Sequence, residues 1–237
     1  MDPIWCYSCE RGLERAVWRG GACPSLSPHF HEETQITIVV VGERRFATLF
    51  GLFRATAGHT LILPAGTPHR ALGLEAGGGL SVNLYVPGPR MPAPARGVPL
   101  VVATPRSAER HAQRPDVFID ELCELAAPRI AECGSTDDDV DLIGAVVGTS
   151  AEIGVVARAL SMSREGFTRR FARVTGMTPH AYRLAARLND ARRLLGAGLS
   201  PAEAAADTGF ADQSHLGRLF RRAFGTTPGR YHKAMRA

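Results

Sequence analysis

Two short segments of the chain are rich in side chains of the types that can form hydrogen bonds with nucleic-acid bases and phosphates. The first segment contains Glu165, Thr168, Arg169 and Arg173. The second contains Gln213, Ser214, His215, Arg218 and Arg222. Arginine bonds guanine through two parallel hydrogen bonds and glutamine bonds adenine in the same way, whereas hydroxyl groups and further arginines suit phosphates. These residue types predict two DNA-contacting surfaces. Solvated helix faces are the competing interpretation, and it is strongest for Arg173 and Arg222.

The two segments belong to a sequence repeat with an offset of 49 residues. An Arg, a Phe, a Gly, a Thr-Pro pair and a Tyr in residues 169–182 return in register in residues 218–231. Each copy follows a short alanine-rich amphipathic stretch and a turn. A helix-turn-helix needs a support helix, a tight turn and a recognition helix that fits the major groove. The repeat therefore predicts two such units in one domain.

Capping residues predict the helices that position these side chains. Ser, Thr and Asp accept hydrogen bonds from the first turn of a helix, and such residues precede helices predicted at 151–160, 164–174, 179–195, 201–208 and 213–224. A first helix is predicted after Asp139 or Asp141, and a short last one after Pro228. The linking helix at 179–195 would be roughly 25 Å long. That length is enough to set two recognition helices about one DNA turn, ~34 Å, apart.

Charge is distributed unevenly along the 237 residues. Residues 1–149 hold 13 basic and 17 acidic side chains, a net charge of −4, whereas residues 150–237 hold 15 basic and 6 acidic ones, a net charge of +9. A basic domain attracts polyanions, and nucleic acid is the usual one. The split therefore agrees with a C-terminal DNA-binding domain, although a solubilising basic surface would give the same numbers.

Residues 139–236 resemble the AraC/XylS family of bacterial transcription regulators. The resemblance lies in the sequences A-A-D-T-G-F at 205–210, S-H-L-G-R-L-F at 214–220 and G-T-T-P at 225–228, and in the linking helix at 187–195. The resemblance implies base contacts in the two recognition helices from Glu165, Thr168, Arg169, Gln213, Ser214, His215 and Arg218. Two residues depart from the family pattern: His232, where the family usually has Arg, and Gly217. These departures leave individual DNA contacts open, but they do not affect the predicted class of protein.

The N-terminal zone has the pattern of a small β-barrel. Short apolar runs rich in β-branched and aromatic residues alternate with turn glycines between residues 13 and 86, which predicts many short strands. The sequences H-F-H-E-E-T-Q at 29–35 and P-A-G-T-P-H at 64–69 resemble, with their spacing, the two motifs of the cupin family. The fold class expected is α+β and multidomain, with an N-terminal cupin-like β-barrel and a C-terminal all-α domain.

The cupin resemblance implies a set of inward-facing residues that could bind a ligand or a metal. Metal-binding cupins use two His, a Glu and a later His, which map here onto His29, His31, Gln35 and His69. Three interpretations stay open: a pocket for a small effector, a divalent metal held by imidazoles, or histidines that only fill the barrel. Gln35 is a poorer ligand than Glu, so no metal is favoured. Glu32 or Glu33 would join only if the strand register differed.

Four segments follow from these patterns. We expect a cupin-like effector-sensing domain at 1–88, a Pro-rich linker at 89–115 with an edge strand near 98–102, a helix at 116–134 and a double helix-turn-helix domain at 139–237. The helix at 116–134 would either form a dimer contact or pack on its own β domain. Repeated proline stops helices and central strands, which is why 89–115 is expected to be a linker.

The cysteine content and the hydropathy of the chain indicate the cellular compartment in which we expect the protein. The five cysteines show no pattern of a disulfide framework, which fits a reducing compartment. We expect neither a signal peptide nor a membrane span, and hence a cytoplasmic protein. Cys6 and Cys9 have the spacing of a redox or metal pair but lack a second pair. They are either two ordinary thiols or a redox sensor.

The sequence thus predicts a ligand-responsive transcription regulator and not an enzyme. The expected partners are promoter DNA, a small-molecule effector, RNA polymerase if the protein is an activator, and a second copy of the chain. No cofactor is expected. A metal-dependent cupin enzyme, or a metal or redox sensor with a DNA-binding tail, is the alternative.

Overall fold

The computed structural model describes residues 5–22, 25–73, 79–91, 97–104, 117–124 and 138–236. An N-terminal domain of β-strands precedes a C-terminal domain of α-helices, so the α+β class and the order of the two parts are confirmed. Within the described ranges, no helix is both long and apolar enough to span a membrane.

Nine strands are described in the N-terminal domain. They are β1 (Cys6–Glu10), β2 (Leu13–Gly20), β3 (Thr34–Val41), β4 (Glu43–Thr48), β5 (Gly51–Thr56), β6 (His59–Leu63), β7 (His69–Ala71), β8 (Gly79–Val86) and β9 (Leu100–Ala103). The large sheet has the order β1-β2-β8-β3-β6-β9 and the small sheet the order β5-β4-β7. All neighbouring strands pair antiparallel.

The strand β3 is buried on both faces because two layers cover the large sheet. Ile36 and Ile38 face an apolar core that includes residues of a helical segment at 117–124, here α1. Val39, on the opposite face, packs with Phe46 of the small sheet. The face of β3 that carries Val39 also holds two buried polar side chains, Gln35 and Thr37.

The apolar face of α1 is covered by the β domain of the same chain. Phe118, Ile119 and Leu122 are buried against the large sheet, which favours packing on the β domain over a dimer contact for these residues. The rest of the predicted helix at 116–134 lies outside the described residues. Within the predicted linker, β9 pairs with β6 at the edge of the large sheet. The sheet therefore extends past residue 88, and the domain bounds stay a prediction.

Seven helices are described in the C-terminal domain. They are α2 (Asp138–Val147), α3 (Ile153–Ala159), α4 (Arg164–Thr175), α5 (Pro179–Gly196), α6 (Pro201–Asp207), α7 (Gln213–Phe224) and α8 (Pro228–Met235). The predicted caps at Ser163, Thr178, Ser200, Asp212 and Thr227 each accept a backbone hydrogen bond from the first helical turn. Helix α3 is shorter than predicted, and Glu152 precedes it. Gly176 and Gly225 end α4 and α7 with positive φ, a conformation that costs glycine little.

Two apolar cores divide the helical domain, and α5 contributes to both. Phe167 and Phe171 of α4 pack with Tyr182 and Ala185 from the first half of α5. Phe220 and other residues of α6, α7 and α8 pack with the second half of α5. The repeat seen in the sequence thus corresponds to two helix pairs, α3–α4 and α6–α7, on either end of one helix of 18 residues.

Candidate nucleic-acid interface and histidine site

Helix α4 buries one face and exposes the side chains that the sequence predicted to contact DNA. Phe167 and Phe171 are fully buried, which fixes the rotation of the helix. Glu165, Arg169 and Arg173 are then exposed on the other side. Thr168 is half-buried, and its hydroxyl donates to the Arg164 carbonyl at 2.8 Å.

Helix α7 has the same division between a buried and an exposed face. Leu216 and Phe220 are buried. Four of the predicted residues are exposed, namely Gln213, Ser214, Arg218 and Arg222. His215 is half-buried because its ring packs edge-on against Phe210 at 5.7 Å. The predicted residues of both segments therefore lie on solvent-facing sides of their helices, as DNA contact requires, although their contact with bases stays a prediction.

Arg187 of α5 holds the turn between α6 and α7. Its guanidinium donates to the Thr208 carbonyl at 2.8 Å and to the Gly209 carbonyl, and lies 4.4 Å from the centre of the Phe210 ring. Gly209 has φ of 69°, in the left-handed region that glycine adopts without strain. One arginine thus fixes the angle at which α7 leaves the turn.

The C-terminal end of α7 is docked on the β domain, unlike its exposed N-terminal half. The Ser27 amide donates to the Arg222 carbonyl at 2.8 Å, and the Tyr7 hydroxyl donates to the Phe224 carbonyl at 2.9 Å. The Phe224 ring, 2% exposed, lies 5.6 Å from the His29 ring and 5.7 Å from the His31 ring. The second recognition helix therefore ends directly on the histidines of the β domain.

Backbone geometry brings His29, His31 and His69 together. His29 and His69 exchange two backbone hydrogen bonds, at 3.0 and 2.8 Å, in an isolated antiparallel bridge. His31 lies two residues after His29, a spacing that places side chains of extended chain on the same face. The three ring centres lie 4.5 to 5.4 Å apart, and each residue is 3% exposed. We call this group the histidine cluster.

Two of the three imidazoles are oriented by backbone carbonyls. Nδ1 of His29 hydrogen-bonds the Ser27 carbonyl at 2.8 Å, and Nδ1 of His69 bonds the Thr67 carbonyl at 2.9 Å. Because a carbonyl only accepts, both Nδ1 atoms carry the proton, which leaves each Nε2 with a lone pair. Burial, and then the neighbouring His69, lower the pKa of His29 to about 3; burial lowers the pKa of His69 to about 4. Burial and then His29 also lower the pKa of His31.

Gln35 lines the same interior cavity as the histidine cluster. Its amide nitrogen donates to the Thr37 hydroxyl at 2.9 Å, and that hydroxyl donates to Oδ1 of Asn83, also at 2.9 Å. The cavity measures about 10 Å³, which is room for about one water-sized particle. All four residues that the sequence singled out in this domain therefore surround one very small cavity.

Glu32 and Glu33 face away from the histidine cluster. Glu32 is exposed, and the Glu33 carboxylate pairs with Arg192 of α5 at 2.9 Å. Arg192 also pairs with Glu14 at 2.7 Å, and its side chain is 4% exposed. Burial alone would lower the pKa of Arg192, but Glu14 outweighs it, together with Tyr231 and Glu33, and raises that pKa well above its ordinary value. Arg192 is therefore a buried cation between the two domains.

A cleft of about 250 Å³ opens beside this ion pair, between the domains. Charged residues from both domains line it: Glu14, Glu32, Glu33, Arg192 and Arg193. Asn189 joins the domains at the same place, because its amide nitrogen donates to the Phe30 carbonyl at 3.0 Å. Cys9 also lines the cleft, whereas Cys6 lies three residues away on β1 and hence on the opposite face of the strand. That placement disfavours a direct disulfide between these two thiols.

The contacts between the two domains are not predicted by the sequence patterns described above. Arg192 carried a usable signal, since it lies in a stripe of buried α5 residues that includes Leu188 and Leu195. A charged residue in such a stripe predicts a buried partner. Phe224 carried no signal of its own, because an aromatic residue at that position of α7 is expected in the helical core in any case.

Family models match both domains of this chain. Residues 21–92 match the AraC-like ligand binding domain, and residues 156–234 match a helix-turn-helix domain. The first range contains the histidine cluster, and the second contains both exposed helix faces. Fold and site thus define a ligand-binding β domain joined to a double helix-turn-helix domain.

Two curated relatives are similar to part of this chain. Over 102 residues, 43% of this chain and 31% of the relative, the sequence is 42% identical to the HTH-type transcriptional regulator YbfI of Bacillus subtilis (strain 168). Over 79 residues, 33% of this chain and 23% of the relative, it is 43% identical to the transcriptional activator NphR of a Rhodococcus species. The matched segments thus span less than a third of these relatives' length.

A crystal structure of ToxT from Vibrio cholerae O395 has the same fold over nearly the whole length. The TM-score is 0.63 at 11% identity, and the match covers 95% of this chain and 99% of that one. At such low identity the likeness shows the fold alone. The two domain matches show that the chain combines an AraC-like ligand binding domain with a helix-turn-helix domain.

Proposed function

We propose that the protein regulates transcription by binding promoter DNA through α4 and α7 in response to a small effector. The observation that carries the proposal is that both recognition helices expose arginines on the face opposite their buried phenylalanines. Curated relatives that are regulators support a regulatory and not an enzymatic role. The protein would act in the cytoplasm, as a homodimer, and would contact RNA polymerase if it is an activator.

The base contacts are assigned by exposure and chemistry. In α4 they fall on Glu165 and Arg169, with Thr168 beside them. In α7 they fall on Gln213, Ser214, His215 and Arg218. Arg173 and Arg222 lie nearer the C-terminal ends of their helices and suit phosphates. Recognition helices present their N-terminal residues to base edges, which fits this division.

Replacing Arg218 with alanine is expected to weaken specific binding relative to non-specific binding by about 1–3 kcal/mol, the value of a bidentate contact with guanine. Fluorescence anisotropy at matched salt, with a duplex obtained by selection from random sequence and a scrambled duplex, measures this ratio. Arg221→Ala is the matched control, since it removes the same charge from another exposed position of the same helix. A phosphate contact weakens both duplexes equally. An unchanged ratio for Arg218→Ala removes Arg218 from the base contacts.

An organic effector fits the interdomain cleft better than the interior of the β domain. Pockets for such ligands measure roughly 300–1,000 Å³, whereas the interior cavity measures about 10 Å³ and the cleft about 250 Å³. A ligand in the cleft would touch the residues that hold the domains together. It would favour one arrangement of the domains and so change how α7 is presented to DNA, by a shift of populations.

Mapping where the protein binds in the genome of its host, by crosslinking and sequencing, tests the regulatory role directly. Discrete sites upstream of genes are expected, and the neighbouring genes would indicate the effector's chemistry. Diffuse occupancy that does not change when Arg169 and Arg218 are both replaced by alanine would contradict sequence-specific regulation.

A further inference from the structure

The histidine cluster holds buried ring nitrogens that no hydrogen bond within the described residues satisfies. Both Nδ1 and Nε2 of His31 lack a partner there, and so does Nε2 of His69. A buried polar atom left without a hydrogen bond costs roughly 1–3 kcal/mol. Native proteins keep such groups where a bound water, an ion or a function accounts for them. Three such atoms in one small cavity therefore point to an occupant.

The arrangement of the nitrogens fits a metal ion. One ligand atom from each of His29, His31 and His69 lies within 4.8 Å of the other two. Metal–imidazole bonds of ~2.05 Å at tetrahedral angles separate ligand nitrogens by about 3.3 Å. An ion bound to all three nitrogens would therefore require the rings to move closer together than they lie here. The size of the cavity, about 10 Å³, suits an ion and excludes an organic molecule.

The surroundings of the histidine cluster also match those of a metal site. Metal-binding histidines almost always donate their second ring N–H to a carbonyl or carboxylate, which orients the ring. His29 and His69 donate Nδ1–H in this way to Ser27 and Thr67. The carbonyl groups thereby leave Nε2 of both rings as the ligand atom. Gln35, on the same cavity, is neutral, so the site is a three-imidazole site and not one completed by a carboxylate.

We propose that His29, His31 and His69 bind one divalent transition-metal ion that favours imidazole, of the Zn²⁺, Co²⁺ or Ni²⁺ kind. Imidazole is a good ligand for these ions, whereas Mg²⁺ and Ca²⁺ require oxygen. A single bound water is the competing occupant, because it would satisfy the same nitrogens. The metal site does not depend on DNA binding, so it can fail while the regulatory function stands.

Equilibrium dialysis of the full chain with Zn²⁺, after removal of metal by a chelator, tests the proposal. One tightly held Zn²⁺ per chain is expected, with a rise in Tm because the ion binds the folded state. Co²⁺ in its place should give visible absorption bands of a coordinated ion. A chain that binds no Zn²⁺, and whose Tm does not change, overturns the proposal in favour of a water.

Substitutions of the cluster histidines test whether the ion binds at this site. His31→Ala and, separately, His69→Gln should lower Zn²⁺ affinity by more than about 10-fold, as losses at metal sites do, and abolish the Tm rise. His180→Ala, an exposed histidine on α5, should keep both. Circular dichroism of the metal-free variants checks folding, and the glutamine variant retains a polar side chain if alanine disrupts the domain. Equal Zn²⁺ binding by wild type and both cluster variants overturns the site.

Discussion

Replacing Arg192 with alanine is expected to lower the free energy of unfolding by about 3–5 kcal/mol, because the change leaves partly buried carboxylates without their cation. Arg192 joins the domains through Glu14 at 2.7 Å and Glu33 at 2.9 Å. The Tyr231 hydroxyl donates to the same Glu14 carboxylate at 2.7 Å, and the guanidinium lies 4.5 Å from the centre of the Tyr85 ring. One substitution therefore disrupts an entire polar network. Urea denaturation followed by circular dichroism measures the loss.

The neighbouring Arg193 provides a matched control for this experiment. It pairs with Asp190 at 3.4 Å, but the two side chains are 61% and 49% exposed. Exposed ion pairs contribute little, about 0–1 kcal/mol, so Arg193→Ala should change stability only slightly. If Arg192→Ala costs no more than Arg193→Ala, the buried network does not hold the domains together.

Replacing Phe224 with alanine is expected to cost about 3–5 kcal/mol, the usual loss for a large aromatic side chain in a core. Phe224 packs against Phe220 with ring centres 4.7 Å apart and also covers His29 and His31. The substitution removes packing in the helical domain and uncovers the histidine cluster at the same time. Denaturation measures the first effect, and faster reaction of the imidazoles with diethyl pyrocarbonate measures the second.

Phe50 is the appropriate comparison for this substitution. It is 42% exposed in the β domain, so Phe50→Ala should stay within about 0.5 kcal/mol of wild type. Unchanged histidine reactivity in a folded Phe224→Ala protein would show that Phe224 does not seal the cluster.

The features that the sequence predicted well are local. Helix starts at Ser163, Asp212 and Thr227 follow from side chains that reach their own first turn, and the exposed arginines follow from the 3.6-residue period. The spacing of His29 and His31 likewise puts both on one side of an extended chain. The residues in these contacts are close together in the chain, so the contacts can be predicted from a single sequence.

The contacts between the two domains could not be predicted from local sequence patterns. The Tyr7 hydroxyl donates a hydrogen bond to the Phe224 carbonyl, and the Tyr231 hydroxyl donates one to the Glu14 carboxylate. In each pair the two residues are 217 positions apart in the chain. Nothing in the local pattern of either partner specifies the other, because many tyrosines and phenylalanines would satisfy the same burial. The bridge that joins His69 to His29 is of the same kind, and only the cupin resemblance indicated it.

Helix α5 has a consequence for how the protein unfolds. It supplies residues to both apolar cores of the helical domain, and the same helix carries Asn189 and Arg192, which contact the β domain. Losing either core or the interface removes support from the other two. The protein should therefore melt in a single cooperative transition, and hydrogen exchange in the middle of α5 should require the global opening. Neither helix-turn-helix unit is then expected to persist as a stable folded fragment after the other has opened.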